Sequence, residues 1–192
     1  MSSDRVRCWG NKDPLGREYH DTEWGTPSHD DRLLFEHIVL EGFQAGLSWG
    51  TILKKREAFR KAFEGFDPKR VAGYNEKDVE RIMGTEGIIR NRRKVESAIN
   101  NAKRFLEVQK EFGSFDRYAW GFVGGKTIQH DLKEFSEMQT ESEESRAMSA
   151  DMKGRGFTFI GPTSCYAYMQ AVGMINDHLV RCFRHGELRA PK

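Results

Sequence analysis

Apolar residues recur along this chain mainly at three- and four-residue intervals, the period of α-helices that turn one face to a core. Between residues 30 and 45, Leu34, Ile38, Glu41 and Ala45 fall on one stripe, with Phe35 and Val39 beside it. Ser48 is placed to cap a following helix whose inward face holds Ile52, Leu53, Phe59 and Phe63. Asp67-Pro68 reads as a turn or helix start ahead of Val71, and Asn75 as the start of a helix through Val79 and Ile82. A long helix is predicted over 92–112, with Val95, Ile99, Ala102, Phe105 and Leu106 inward, and a short one over 115–122.

Gly124-Gly125 breaks the helical period, and 126–129 is predicted to be extended. Residues 134–144 hold Glu134, Glu137, Glu141, Glu143 and Glu144 with no base among them, which predicts a solvated loop or helix start. A helix follows over 145–153. The run 154–162 then forms a glycine hairpin into a helix over 163–172, which Gly173 ends, and a last helix is predicted over 176–183. With no internal repeat and no clear linker, residues 1–192 are expected to form a single helical domain of two small lobes sharing one core.

Composition narrows the picture only a little. Hydrophobic residues reach 38%, which is lean, but 13 Phe and 4 Trp supply material for a core. The 31 Lys and Arg nearly balance 29 Asp and Glu, so a nucleic-acid surface would have to come from uneven distribution. Residues 1–7 are polar and lack the apolar run of a secretion signal, and no stretch approaches the roughly 18 apolar residues of a membrane helix. Cys8, Cys165 and Cys182 are too few and too scattered for a disulfide framework. A soluble cytoplasmic protein without membrane contact is expected.

Three groupings carry candidate chemistry. Glu41 interrupts an otherwise apolar stripe, so its carboxylate faces the interior or a pocket and needs a partner or a cationic ligand. Gln44 and Trp49 lie close by, and an aromatic face beside a buried carboxylate suits a flat cation; a structural hydrogen bond to a neighbouring helix start fits equally well. His178 and Cys182 stand four apart on the last predicted helix, and Cys8 and His20 lie near the other end. Two Cys and two His match a closed tetrahedral zinc site, although a core cysteine and a satisfied histidine explain each pair alone. Cys165, in an apolar helix, is expected in the core.

The third grouping is the turn Phe159-Ile160-Gly161-Pro162-Thr163, which can offer backbone amides to a phosphate or simply join two helices. Basic clusters at Lys54-Lys55-Arg56, Arg60-Lys61, Arg90, Arg92-Arg93-Lys94 and Lys153 with Arg155 could track a nucleic-acid backbone. Ordinary solvated surface is the plainer reading of the 54–61 group.

Several longer motifs resemble one known family. They are Asp13-Pro14-Leu15, Tyr19-His20-Asp21, Glu23-Trp24-Gly25 and the run from Leu40 through Glu41, Gln44 and Trp49 to Arg56. Ile88-Ile89-Arg90-Asn91, Gly156-Phe157 to Gly161, and Asn176-Asp177-His178 continue the match. The chain is similar to the 3-methyladenine DNA glycosylase I family over about residues 7–183.

The resemblance implies an all-α helix-hairpin-helix DNA glycosylase fold, with structural zinc held by Cys8, His20, His178 and Cys182 joining the chain termini. It implies a base pocket formed by Glu41, Tyr19 and Trp49, with Trp24 and Gln44 close, and a DNA-backbone anchor at Gly161, Pro162 and Thr163. Asn176 stands where related glycosylases carry a catalytic aspartate, and Asp177 is given no catalytic role.

The expected activity is that of a monomeric, monofunctional enzyme on double-stranded DNA containing alkylated bases. It flips out 3-methyladenine and hydrolyses its glycosidic bond, leaving an abasic site. Glu41 would hydrogen-bond the base edge, with Trp49 and Tyr19 sandwiching the ring. Gly16, where the family tends to carry a bulkier residue, would loosen the pocket. It also supports an alternative, a lesion-binding protein of the same fold that does not excise.

Overall fold

The computed structural model describes residues 5–189; residues 1–4 and 190–192 lie outside it. Ten helices lie within the described residues. In chain order they are α1 (Pro14–Thr22), α2 (Asp31–Gln44), α3 (Trp49–Ala62), α4 (Pro68–Ala72), α5 (Glu76–Gly84), α6 (Arg92–Phe112), α7 (Phe115–Gly121), α8 (Glu143–Gly154), α9 (Pro162–Ala171) and α10 (Phe183–Glu187). Two short strands, β1 (Ile128–Gln129) and β2 (Ile175–Asn176), pair in parallel.

Short polar side chains set most of these helix starts. Asp30, Ser48, Asp67, Asn75, Asn91, Ser114 and Ser142 each accept a backbone amide of the first turn that has no partner inside the helix. Ser48, Asp67 and Asn75 do so where the sequence predicts helix starts. The glutamate-rich stretch divides: Phe135–Glu137 is one short 3-10 turn, and Glu143 and Glu144 enter the first turn of α8. Carboxylates there favour the positive end of the helix dipole.

α2 is the axis of the core. It packs against α3, α6, α7 and α9 and buries Leu34, Phe35, Ile38, Val39, Leu40 and Phe43. At roughly 1.5–3 kcal/mol per large apolar side chain removed from water, these six outweigh any single polar contact on the helix. Phe43, Phe59, Phe63 and Phe66 form one aromatic stack beside it, and Phe35, Phe105 and Phe115 another. Because neighbours surround α2, the polar residues on it are buried as well. Glu36 pairs with Arg56 at 2.6 Å and Arg60 at 3.1 Å, and Arg56 reaches back to Glu23 at 2.7 Å. Arg56 is therefore no part of a solvated basic face but a tie between α3, α2 and the segment after α1.

Two expectations are corrected. The sequence reading gives residues before Asp30 no element, yet α1 forms there, with Asp13 capping the amide of Gly16 at 2.9 Å and Pro14 opening the helix. The helix predicted over 176–183 does not exist. Asn176 belongs to β2, where it pairs with Gln129 of β1, and helical backbone begins again only at Phe183. The extended segment expected at 126–129 supplies the pairing partner that pulls 175–176 out of helical conformation.

The segment after α1 is anchored to the end of α9. Gly25 donates its amide to the carbonyl of Gln170 at 2.9 Å, and Ser28 donates to Val172 at 3.0 Å. Gly173 makes this approach possible. Its φ is +75°, and a Cβ there would sit 2.3 Å from backbone atoms of Thr26 and Pro27. Trp24 is thereby held beside α9.

Candidate functional site

Four side chains from the two ends of the chain converge. Cys8 Sγ lies 3.3 Å from His20 Nε2 and 3.5 Å from His178 Nδ1; Cys182 Sγ lies 3.4 Å and 3.5 Å from the same two nitrogens. All four donor atoms fall within 4.8 Å of one another, a group that could hold one metal ion. His20 is on α1, Cys182 caps α10, and His178 sits in the coil after β2. His178 and Cys182 thus meet without sharing a helix, contrary to the reasoning that first paired them.

The outer partners fix both imidazoles in the form a metal needs. His20 Nδ1 lies 2.8 Å from Asp21 Oδ1, and His178 Nε2 lies 2.9 Å from the carbonyl of Trp24. A carboxylate and a carbonyl only accept, so each ring's proton sits on that nitrogen and the opposite one faces the tetrad as a lone pair. Asp21 is held in turn by Arg7 at 2.7 Å.

A cavity of about 260 Å³ opens beside the tetrad, lined by Trp9, Tyr19, Trp24, Glu41, Gln44 and Trp49 with Ala167, Gln170 and Ala171 of α9. All five residues expected in the pocket are here. Trp9 and Gln170 are additions. Trp9 follows Cys8 directly and packs edge-on against Trp24 with ring centres 5.2 Å apart. An aromatic next to a candidate metal donor is the signal that marks it. Gln170 has no such signal, because only its tie to buried Asp177, 2.7 Å from its amide nitrogen, fixes its side chain. Asp177 also accepts from Tyr166 and His130, so its role is to brace the wall.

The electrostatics of this cavity are unusual. Burial alone, with no offsetting charge or hydrogen bond, pushes the Glu41 carboxyl up to about 8 from an ordinary 4.5. Behind Trp49 the buried His37 stacks at 6.3 Å; burial, with Arg56 and Arg60, drives it down to about 3, and its Nδ1 has no partner. Trp49 Nε1 also lacks one. Tyr19 and Trp49 stand against each other, ring centres 5.3 Å apart and planes tilted by 50°. A ring held between two others needs them about 7 Å apart, twice a van der Waals contact, so a base between Tyr19 and Trp49 requires these two rings to separate. Gly16 is not in this wall. It lines the adjoining cavity, so the pocket is not loosened there.

The turn before α9 is in place. Gly161 is the N-cap, no side chain caps the helix, and Pro162 opens it with Thr163 next. Phe159 adopts a left-handed φ of 56° and stays partly exposed, its Cβ near Gly42. Of the basic clusters, Arg92 is engaged by Glu76, Glu80 and Glu96, and Arg155 by Glu111 and Asp151. Among the described residues no helix is long and apolar enough to cross a membrane.

Comparison with known proteins places this geometry. A family described as methyladenine glycosylase matches residues 9–185. DNA-3-methyladenine glycosylase of Haemophilus influenzae is 46% identical over 178 residues, 92% of this chain and 96% of that protein. The crystal structure of a 3-methyladenine DNA glycosylase I superimposes with a TM-score of 0.90 at 46% identity, covering 93% of this chain and 98% of that one. A structure of 3-methyladenine recognition by the Staphylococcus aureus enzyme gives 0.89 at 37% identity, covering 92% and 94%.

Proposed function

The chain belongs to the methyladenine glycosylase family, and on that premise we propose that it excises 3-methyladenine from alkylated double-stranded DNA by hydrolysis, leaving an abasic site. The observation that carries this reading is a buried carboxyl with no partner, walled by aromatic rings, in a cavity of about 260 Å³.

A 3-methylated adenine still attached to its sugar is cationic. When the C1′–N9 bond breaks, its electrons pass to the base, which leaves neutral; water bonds to C1′ and its proton goes to solvent. The leaving group needs no acid, so the protein's task is to flip the nucleotide out and hold a flat cation. Trp49 and Trp9 offer ring faces, an attraction worth ~1–2 kcal/mol for a cation. Glu41 contributes more. Its carboxyl stands near 8 because its anion lacks a counter-charge, and a cationic base supplies one. Recovering a shift of that size is worth on the order of a few kcal/mol, which ordinary adenine cannot elicit. Glu41 is the discriminating and catalytic residue, with Tyr19, Trp24, Gln44 and Gln170 shaping the rest of the pocket. Gly161 and Thr163 present the backbone amides of a helix-hairpin-helix anchor to a DNA phosphate, and Pro162, which has no N–H to offer, opens the helix between them.

Zinc suits the tetrad. Sulfur at ~2.3 Å and nitrogen at ~2.0–2.1 Å in tetrahedral array lie about 3.6 Å apart. The four such edges here are 3.3 to 3.5 Å. With all four positions filled by protein, the ion is structural, and residues 1–192 act as one domain closed at its termini. We expect no Schiff-base step, and a borohydride-trapped covalent adduct with DNA would overturn this. We place the enzyme in the cytoplasm as a monomer.

The test is release of free bases from methylated DNA by wild type and Glu41→Ala. Wild type should release 3-methyladenine, and the variant should lose about 100-fold or more, the few kcal/mol ascribed to the carboxylate. Undiminished release by the variant would discard Glu41, and no release by zinc-loaded wild type would discard the activity.

A further inference from the structure

Gln170 is held by its backbone and by its side chain. Its carbonyl accepts the amides of Gly25 at 2.9 Å and Gly173 at 3.3 Å, and its side-chain Nε2 donates to Asp177 Oδ2 at 2.7 Å. Asp177 is buried and also accepts from Tyr166 Oη at 2.7 Å and from His130 Nδ1 at 2.6 Å. A carboxylate only accepts, so the Gln170 amide cannot turn over. Its NH2 stays on Asp177, and Oε1 is the end left for the base pocket that Gln170 lines. Among the described residues none donates to that oxygen. Gln44, the other amide in the wall, has no side-chain hydrogen bond among the described residues and can present either end.

A fixed acceptor separates purines by what they carry at C6. A flipped nucleotide stays tied to its strand through N9, so the base leads into a pocket with the six-membered ring. Adenine bears an amino donor at C6, and guanine bears an oxygen there. Glu41 alone does not separate them. It keeps a proton up to about pH 8, so it can donate to an oxygen or, once ionised, accept from an amine. Gln170 Oε1 has no such choice. Two effects strengthen its bond to an alkylated adenine. The positive charge spreads onto the 6-amino group, which makes it a charge-assisted donor. On the far side of the amide the Asp177 carboxylate draws on the Nε2 proton, and hydrogen bonds in a chain polarise one another.

We propose that Gln170 is a specificity-determining residue of the base pocket: its Oε1, kept forward by Asp177, accepts a hydrogen bond from the 6-amino group of the alkylated adenine and disfavours purines with oxygen at C6. The inference rests on the base-pocket reading above. Gln170 neither gives nor takes a proton, so the bond balance of the reaction is untouched. Its effect lies in which cationic base is held while C1′–N9 breaks.

Duplex DNA treated with a methylating agent carries 3-methyladenine and 3-methylguanine together, so one digest gives the rates at which both free bases appear above spontaneous loss. Comparing the ratio of those rates between wild type and variant cancels the different lability of the two bases. Gln170→Met keeps the length of the side chain and removes the amide. It should lower the 3-methyladenine to 3-methylguanine ratio about tenfold or more, as loss of a hydrogen bond to a charged partner does. Gln170→Leu should act alike and stands in if Gln170→Met does not fold, with a thermal melt as the control for folding. A ratio equal to that of wild type in the folded variants, whatever the loss in rate, would make Gln170 an ordinary wall residue and overturn the proposal. Release of neither base by wild type would remove the base-pocket reading, and this inference with it.

Discussion

The tetrad and the base pocket lie side by side and treat buried polar groups in opposite ways. Around Cys8, His20, His178 and Cys182 both imidazoles have an outer acceptor, and Asp21 is itself held by Arg7. In the pocket Glu41 has no offsetting partner and Trp49 Nε1 has none either, nor does Nδ1 of His37 behind it. An unmet polar group in the interior costs about 1–3 kcal/mol. One region is closed on itself, and the other holds capacity in reserve for something that comes from outside. Trp9 and Trp24 touch both, so the rigid site walls the unsatisfied one.

The contrast is broken most severely from the rigid side. Cys182→Ser should lower metal content toward zero and unfold the protein at a much lower temperature, because the free energy of structural zinc, ~10–16 kcal/mol in small domains, is largely folding free energy. Metal analysis and a thermal melt check this, and unchanged stoichiometry would remove Cys182 from the ligand set.

Glu41→Gln tests the other side. Between 4.5 and about 8 native Glu41 keeps a proton that the unfolded chain has released, so wild-type stability falls as pH rises through that window. The variant lacks this loss. Denaturant unfolding should show it equal to wild type near pH 4 and more stable by up to a few kcal/mol near pH 9. A difference that does not change with pH would mean that Glu41 is not destabilised by burial.

The smallest effect sharpens the distinction between donors and their supports. Asp21→Asn keeps a hydrogen-bond acceptor for His20 but removes the charge, and should weaken metal binding by about 10–100-fold without abolishing it. Competition with a chelator measures this; a complete loss would make Asp21 a ligand rather than a support.

How far the sequence foretold these regions depends on the range of the interactions involved. Helices with a local start signal and an apolar stripe, such as α2, α5 and α6, are legible because both determinants lie within a few residues. α1 carries the same Asp-Pro start that announces α4 but only Leu15 and Tyr19 as large apolar residues, so periodicity says nothing there. Residues 176–183 suit a helix locally and lose it to a partner 47 residues away, Gln129, whose pairing with Asn176 is invisible to any window along the chain. The pocket is similar. Glu41 stands out against an apolar stripe, and the family motifs name Tyr19, Trp24 and Trp49. Gln170 enters only through Asp177, and the contact of Tyr19 with Trp49 only through three-dimensional packing.

The joining of Cys8 to His178 across 170 residues bears on how the protein is made. During synthesis Cys8 emerges 170 residues ahead of His178, and a product truncated before residue 178 carries only Cys8 and His20 of the four donors. Because Trp9 and Trp24 pack against the rings of that tetrad, such a fragment also lacks the support for the wall that would hold a base.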